Sequence, residues 1–167
     1  MTFTYRRLDR RDAPAVRALR HEALTCDPRA FHSTVQENDS YAAADRLAED
    51  FVIGAFDGEA LVGMGGLSRD LRERLQHKML LRGMYVTASA RGRGVADAII
   101  ERLLDHARSE GVIRVLLTVM AENARARRVY ARHGFMVYGV EPGAVRFGDE
   151  YLDDALMSVI IRSETPS

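Results

Sequence analysis

The sequence predicts an α/β (α+β) protein, folded as one domain over residues 1–167. Three observations carry that reading. Strand-like and helix-like apolar periods succeed one another in the order strand, two helices, three strands, helix, strand, helix, two strands. A glycine-rich turn, Arg91-Gly92-Arg93-Gly94-Val95-Ala96, feeds an amphipathic helix directly from a strand. The chain is long enough to bury a substantial core in one unit, and it carries no repeat, low-complexity stretch or interdomain linker.

In order along the chain, Thr2 to Leu8 reads as a short strand. Asp12 is placed to cap a helix with Pro14 in its first turn and Val16, Leu19, Ala23 and Leu24 on one face, ending near Asp27-Pro28. A polar stretch runs through Asp39, and Asp39 or Ser40 is expected to cap a second short helix containing Leu47. Phe51 to Phe56 and Ala60 to Leu67 read as strands joined by the hairpin turn Asp57-Gly58-Glu59. The charged segment Ser68 to Gln76 reads as a solvated connection. His77 to Val86 is the next strand; Gly83 inside it is either a bulge that leaves backbone groups unpaired or a point of close packing.

The helix after the glycine-rich turn, Val95 to Arg108, sets Val95, Ile99, Leu103 and Ala107 on one stripe, with Asp97, Glu101, Asp105 and Arg108 opposite. Gly111 supplies its stop. Val112 to Val119, apolar apart from Arg114 and Thr118, has the pattern of a strand covered on both faces. A third long helix, from about Ala124 to His133, turns Ala126, Val129 and Tyr130 inward and ends at Gly134. Phe135 to Val140 and Asp154 to Ile161 are the final strands, separated by a turn-rich segment from Glu141 to Glu150.

A turn that delivers the chain into a helix N-terminus aims unpaired N–H groups and the positive end of the helix dipole at one point, which suits a phosphate. Two familiar phosphate loops are excluded by residue. A dinucleotide fingerprint wants glycine where Asp97 stands, and a Walker loop wants Lys-Ser or Lys-Thr where this chain has Val95-Ala96. By itself the hexapeptide reads equally as a tight strand-to-helix connection.

A second constellation lies downstream: Asn123-Ala124-Arg125-Ala126-Arg127-Arg128-Val129-Tyr130-Ala131-Arg132-His133-Gly134-Phe135. The two segments together resemble the GNAT superfamily of acyl-CoA-dependent N-acyltransferases over roughly residues 50 to 161. Arg91, Gly94 and Ala96 fill the three defined positions of the family motif that cradles the coenzyme A pyrophosphate, and Asn123 and Tyr130 match the coenzyme-contacting asparagine and the tyrosine near the sulfur. The resemblance implies a GNAT fold. That fold is a mixed, mostly antiparallel sheet of about seven strands with helices on both faces and a splayed central parallel pair. It also implies acetyl-CoA as co-substrate and no metal. The implied cofactor-binding set is Arg91, Gly92, Arg93, Gly94, Val95, Ala96, Asp97, Asn123 and Tyr130, with the backbone of Met84, Tyr85 and Val86.

Acyl transfer from a thioester to an amine needs a neutral amine, a stabilised oxyanion and a departing sulfur. An alkyl ammonium titrates near about 10.4 and a free thiol near about 8.5, so one proton must be taken and one supplied. Tyr130 fits the donor to the sulfur, against the plainer role of a core tyrosine, and is the implied catalytic residue. The Met84–Val86 backbone fits the oxyanion. Many relatives carry a glutamate near Thr118; with threonine there, the base is water or one of Glu22, His77, Glu122 and Asp153. Arg125, Arg127, Arg128 and Arg132 are a wet helix face from which one reaches the 3′-phosphate. In this family the acceptor pocket comes from the first two helices and the last loop. Here Phe31, His32, Tyr41, Phe147 and Tyr151 stand beside Glu22, Glu37, Asp149 and Glu150, suiting either a cationic amine or simple loop anchoring. Small amines, amino acids, antibiotics and protein N-termini all remain as acceptors.

Composition narrows the remaining classes. A formal net charge of zero argues against nucleic acid and anionic membranes as partners. Cys26 is the single cysteine, expected to be semi-buried near a helix end, and no intramolecular disulfide is possible. The N-terminus has no signal-like apolar core, and no apolar run approaches membrane-spanning length, so the expected location is cytoplasmic. A homodimer paired through the C-terminal strands is compatible with the resemblance. A non-catalytic acyl-CoA-binding or regulatory module is the competing class.

Overall fold

Apolar alternation every second residue builds the strands here, and the two faces of the resulting sheet are covered by helices that carry apolar stripes. The computed structural model describes residues 2–161; residue 1 and residues 162–167, part of the expected one-domain span, lie outside the described residues. The strands are β1 (Thr4–Arg7), β2 (Phe51–Asp57), β3 (Ala60–Arg69), β4 (Lys78–Val86), β5 (Arg114–Met120), β6 (Met136–Phe147) and β7 (Glu150–Ile160). They form one seven-stranded sheet in the order β1-β2-β3-β4-β5-β7-β6. All neighbours are antiparallel except β4 and β5, whose parallel ladder pairs Lys78 with Arg114, Met79 with Val115 and Leu80 with Leu116, and then stops. The helices are α1 (Ala13–Cys26), α2 (Val35–Asn38), α3 (Ala43–Glu49), α4 (Val95–Ser109) and α5 (Ala124–Arg132).

One sheet face packs α4 and α5 over Ile53, Ala55, Leu67, Leu81, Val115 and Leu117, and the opposite face packs α1 and α3 over Leu8, Phe56, Met64 and Tyr85. The predicted α4 stripe is the centre of the larger core: Val95, Ile99, Leu103 and Ala107 are at most 1% exposed. Burial of Val95, Ile99 and Leu103 stabilises the fold by about 1.5–3 kcal/mol each. α4 lies close to the sheet because Gly63 and Gly65 of β3 face Val95, Ile99 and Leu103.

A bulge at Gly83 changes the alternation of β4. Gly66 pairs with Arg82 and Met64 with Tyr85, so Gly83 and Met84 together oppose Gly65. Gly83 has φ +69°, a backbone conformation that glycine adopts without steric cost. Met79 and Leu81 belong to the α4 face before the bulge and Met84 and Val86 after it, which sends Tyr85 to the α1 face. Of the two sequence readings for Gly83, the bulge is the correct one.

Several expectations are corrected. Asp12 stands at the start of α1 but makes no capping bond there; its carboxylate accepts from Arg6 at 2.7 and 2.9 Å and from the Asp9 amide at 2.8 Å. The polar stretch holds an additional short helix, α2, boxed by Thr34 and Glu37, and α3 starts from Ala42 rather than from Asp39 or Ser40. The Glu141–Glu150 segment is strand, not loop: β6 runs through it to Phe147 and turns at Gly148-Asp149. Its Pro142 and Gly143, read as turn formers, sit in a register shift of an edge strand, where a missing ladder donor is tolerated. Cys26, the last residue of α1, is exposed. β5 is open on one side, since Thr118 is exposed.

Leu103→Ala, at a site with no exposure, is expected to lower unfolding free energy by about 2–5 kcal/mol, measured by urea denaturation.

Candidate active site

Where the β4–β5 ladder ends, the two strands diverge and leave a cleft of about 830 Å³. Its walls come from both strands and from the helices that follow each of them. β4 contributes Leu80 to Val86, the turn after it contributes Arg91, Gly92 and Gly94, and α4 contributes Val95, Ala96, Asp97 and Ile100. The opposite wall holds Thr118 and Val119 of β5, then Asn123, Arg125, Ala126, Arg128, Val129, Tyr130 and Arg132. The cleft thus gathers Met84, Tyr85, Val86, Arg91, Gly92, Gly94, Val95, Ala96, Asp97, Asn123 and Tyr130, all singled out from the sequence. Arg93 is the exception. It turns away from the cleft, its guanidinium 4.3 Å from the centre of the Phe3 ring.

The anion-binding geometry is local. Gly92 and Gly94 have φ of 71° and 78°, which bends the chain into α4 without side chains over the helix end. Gly94 is the N-cap and offers no capping side chain, so the first-turn amides of α4 face outward with the positive end of the helix dipole. Arg91 folds back, its Nε donating to the Val86 carbonyl at 2.9 Å and its guanidinium 5.5 Å from the Tyr85 ring centre.

Asp97 is a bridge between the walls rather than a bare acid at a helix start. It accepts from Arg132 at 2.9 Å and lies 2.8 Å from His133 Nε2, tying α4 to the end of α5. Burial raises its carboxyl, but the hydrogen bonds from Arg132 and His133 outweigh that and hold it below the ordinary value. Among the four arginines of α5, Arg125 pairs with Asp27 at 3.3 Å, Arg127 donates to the Ala121 carbonyl at 2.9 Å, and Arg132 is held by Asp97. Arg128 lines the cleft with no hydrogen bond or ion pair among the described residues.

Tyr130 is buried, edge-on to Phe135 at 5.8 Å, and its hydroxyl has no hydrogen-bond partner among the described residues. Burial pushes its phenol well above the ordinary value, so it stays protonated at neutral pH. Asn123 Oδ1 caps α5 by accepting from the Ala126 amide at 3.1 Å, which orients the side chain at the cleft wall. Tyr85 donates to Glu22 at 3.0 Å; burial first, then that bond, pushes its phenol up to about 12.

None of the four base candidates lines the cleft. Glu22 is behind Tyr85, His77 precedes β4, Glu122 accepts from Arg29 at 2.9 and 3.0 Å, and Asp153 accepts from the Gly143 amide at 2.8 Å. The structure brings His32 there instead, from the segment between α1 and α2, with its Nε2 3.0 Å from Asp154 Oδ2. Asp154 is 2% exposed, one position along β7 from the solvent-facing Asp153. Adjacent aspartates in a strand point to opposite faces, so one of the pair had to be buried with a partner. That signal was present in the sequence; the identity of the partner, 122 residues away, was not.

Of the four carboxylates expected around an acceptor, three are occupied, and Asp149 stands in the β6–β7 turn with no hydrogen-bond or ion-pair partner among the described residues. Glu22 takes Tyr85, Glu37 caps α2 from within its capping box, and Glu150 takes Arg29 at 2.7 Å. Arg29 also lies 5.1 Å from the Phe147 ring, so the α1–α2 segment is strapped to the C-terminal hairpin.

A sheet parted between two parallel strands, with a phosphate-ready helix start on one wall and a buried phenol on the other, defines a class of proteins that take an extended phosphorylated cofactor between strands. The chain belongs to the acetyltransferase (GNAT) family, whose model matches residues 16–135. Mycothiol acetyltransferase of Corynebacterium glutamicum is 33% identical over 97 residues, covering 56% of this chain and 31% of that protein, so the match spans about a third of the relative. L-amino acid N-acetyltransferase AaaT of Escherichia coli is 28% identical over 117 residues, covering 69% of this chain and 70% of that protein. The structure of yncA from Salmonella typhimurium, solved with its cofactor acetyl-CoA, has the same fold. Its TM-score is 0.84 over 100% of this chain and 98% of that one, at 18% identity.

Because Asp97 is depressed in the folded state, its contribution to stability is present above the ordinary value of 3.8 and is lost as pH falls through the folded value. Asp97→Asn is therefore expected to melt below the wild type at neutral pH, the gap closing under about pH 4, as followed by thermal denaturation across pH.

Proposed function

We propose that the protein is an N-acetyltransferase that moves the acetyl group of acetyl-CoA to a primary amine by direct attack within a ternary complex. One observation carries the reading: the uncapped start of α4 and the buried Tyr130 share one cleft between the parted ends of β4 and β5. The fit to coenzyme A rests on this chain's own geometry. The first-turn amides of α4 would hold the pyrophosphate, Arg128 is available for a further phosphate, and the edge of β4 beyond Leu80 is free of β5 for the amides of the pantetheine arm. Acetyl-CoA supplies the activated acetyl group as a thioester.

The protein's part is positioning and proton handling. Gly83 and Met84–Val86 line the cleft beside the β4 bulge, and their backbone amides would stabilise the oxyanion. As the new C–N bond forms and the C–S bond breaks, the amine must lose a proton. We assign that proton to His32, which Asp154 orients, in place of the absent strand glutamate at Thr118. The departing thiolate is stabilised by the Tyr130 hydroxyl. A phenol raised above its ordinary value remains a hydrogen-bond donor and gives up its proton less readily, so the thiolate is held by donation until it takes a proton from solvent, while His32 releases the amine's proton to solvent. A small-molecule amine is supported as acceptor by the likeness to AaaT, an L-amino acid N-acetyltransferase.

The test is release of free thiol from acetyl-CoA across an amine panel; tight acetyl-CoA binding with no turnover on any amine would return the chain to a non-catalytic binding module. On the best acceptor, Tyr130→Phe is expected to lower kcat about a hundredfold while leaving acetyl-CoA affinity within about twofold by calorimetry. His32→Ala is expected to lose about a hundredfold in kcat, and added imidazole should restore part of it. A histidine that served only as a strap would show no such rescue.

A further inference from the structure

The α1 side of the sheet holds a second, smaller cavity of about 300 Å³. It shares Arg20, Ser33, Arg82 and Gly83 with the large cleft, so the two meet at the bulge of β4. On the reading proposed above, on which this inference rests, the bulge is where the acyl group is presented. The smaller cavity is then the space behind the attacking amine.

Its charge is lopsided. Three guanidiniums, of Arg20, Arg46 and Arg82, face one carboxylate, that of Asp50. Asp50 is committed to Arg82 at 2.7 Å and lies 4.0 Å from Arg46. Arg20 has no acid. Its Nε donates to Asn38 Oδ1 at 3.3 Å, its guanidinium lies 3.9 Å from the Tyr41 ring centre, and its terminal nitrogens have no hydrogen-bond partner among the described residues. Asn38 is itself fixed, 1% exposed and donating to the Arg17 carbonyl at 3.2 Å. Burial pulls the Arg20 guanidinium below its ordinary value, the mark of a cation partly removed from water. A desolvated cation with unused donors is unfavourable until an anion meets it, and arginine's planar fork matches carboxylate and phosphate oxygens.

We propose that the acceptor is a compact amine carrying its own carboxylate or phosphate, with that anion held by Arg20 at the junction of the two cavities. The pocket therefore selects against the cationic amines that the aromatic and acidic residues of the first and last loops had suggested.

Matched acceptors test this: an α-amino acid against its amide, and 2-aminoethyl phosphate against ethanolamine, with thiol release from acetyl-CoA as the readout. The member that carries the anionic group in at least one pair is expected to exceed its partner without that group by about tenfold or more in kcat/KM, most of it in KM. Which pair responds distinguishes carboxylate from phosphate. Arg20→Met should collapse the ratio to near one, and Arg20→Lys, which keeps the charge without the fork, should keep part of it. If Arg20→Met does not fold, the wild-type ratio and the lysine variant still decide. Equal or greater rates for the members without the anionic group overturn the inference and leave the acetyltransferase reading standing. If no amine reacts, that reading fails, and heat protection in the presence of CoA decides here: protection by the anionic members alone upholds the anion site, and equal protection by both overturns it.

Discussion

The constraint on which the site depends is the early end of the β4–β5 ladder. Two parallel strands that pair over Lys78–Leu80 and Arg114–Leu116 and then part must leave backbone groups facing one another across a gap. Such groups need partners when water is excluded. Part of the need is met internally, since Arg91 donates to the Val86 carbonyl. The remainder is an edge that a ligand with amides of its own can pair with. Because each parted strand runs into a helix, the divergence also sets α4 and α5 on opposite walls, and Asp97 holds them at a fixed separation through Arg132 and His133.

The Gly83 bulge is the second half of the same arrangement. By inserting one residue it moves Tyr85 from the α4 core to the α1 face, where the phenol donates to Glu22. It also marks the junction of the two cavities. The cofactor side of the sheet is thus lined by helix amides and a phenol, and the α1 side by guanidiniums. Exposed ion pairs such as Arg29–Glu122 add little to stability. Their part here is positional, since Arg29, Asp27 and His32 bind the α1–α2 segment to elements more than 90 residues away.

Much of this was legible in the chain. The α4 stripe, the inward face of α1, the β2–β3 hairpin and the turn into α4 each follow from neighbours within a few residues, where period and φ preferences act directly. The strand through Pro142 and Gly143 was not legible, because pairing with β7 on both sides of the register shift, up to Glu141 and again from Val145, overrides the local turn preference. The capping role given to Asp12 failed for a related reason: Arg6, on β1, competes for the carboxylate. Asp153 and Asp154 illustrate the limit well. The pair announced one buried acid, but which of the two it is depends on strand register, and its partner His32 comes from the other end of the chain.

The sequence by itself determined the order of elements apart from α2, the phosphate-ready turn at Gly92–Gly94 and the two motifs that place this chain in its family, since each is a short-range pattern of residue types. Only the tertiary structure decided that the α4 amides, Tyr130 and His32 share one cleft, that Arg93 lies outside it, and that Arg20 is left with unused donors beside it. Charge partners and burial are set by contacts between residues far apart in the chain, and no local preference encodes which distant side chain arrives.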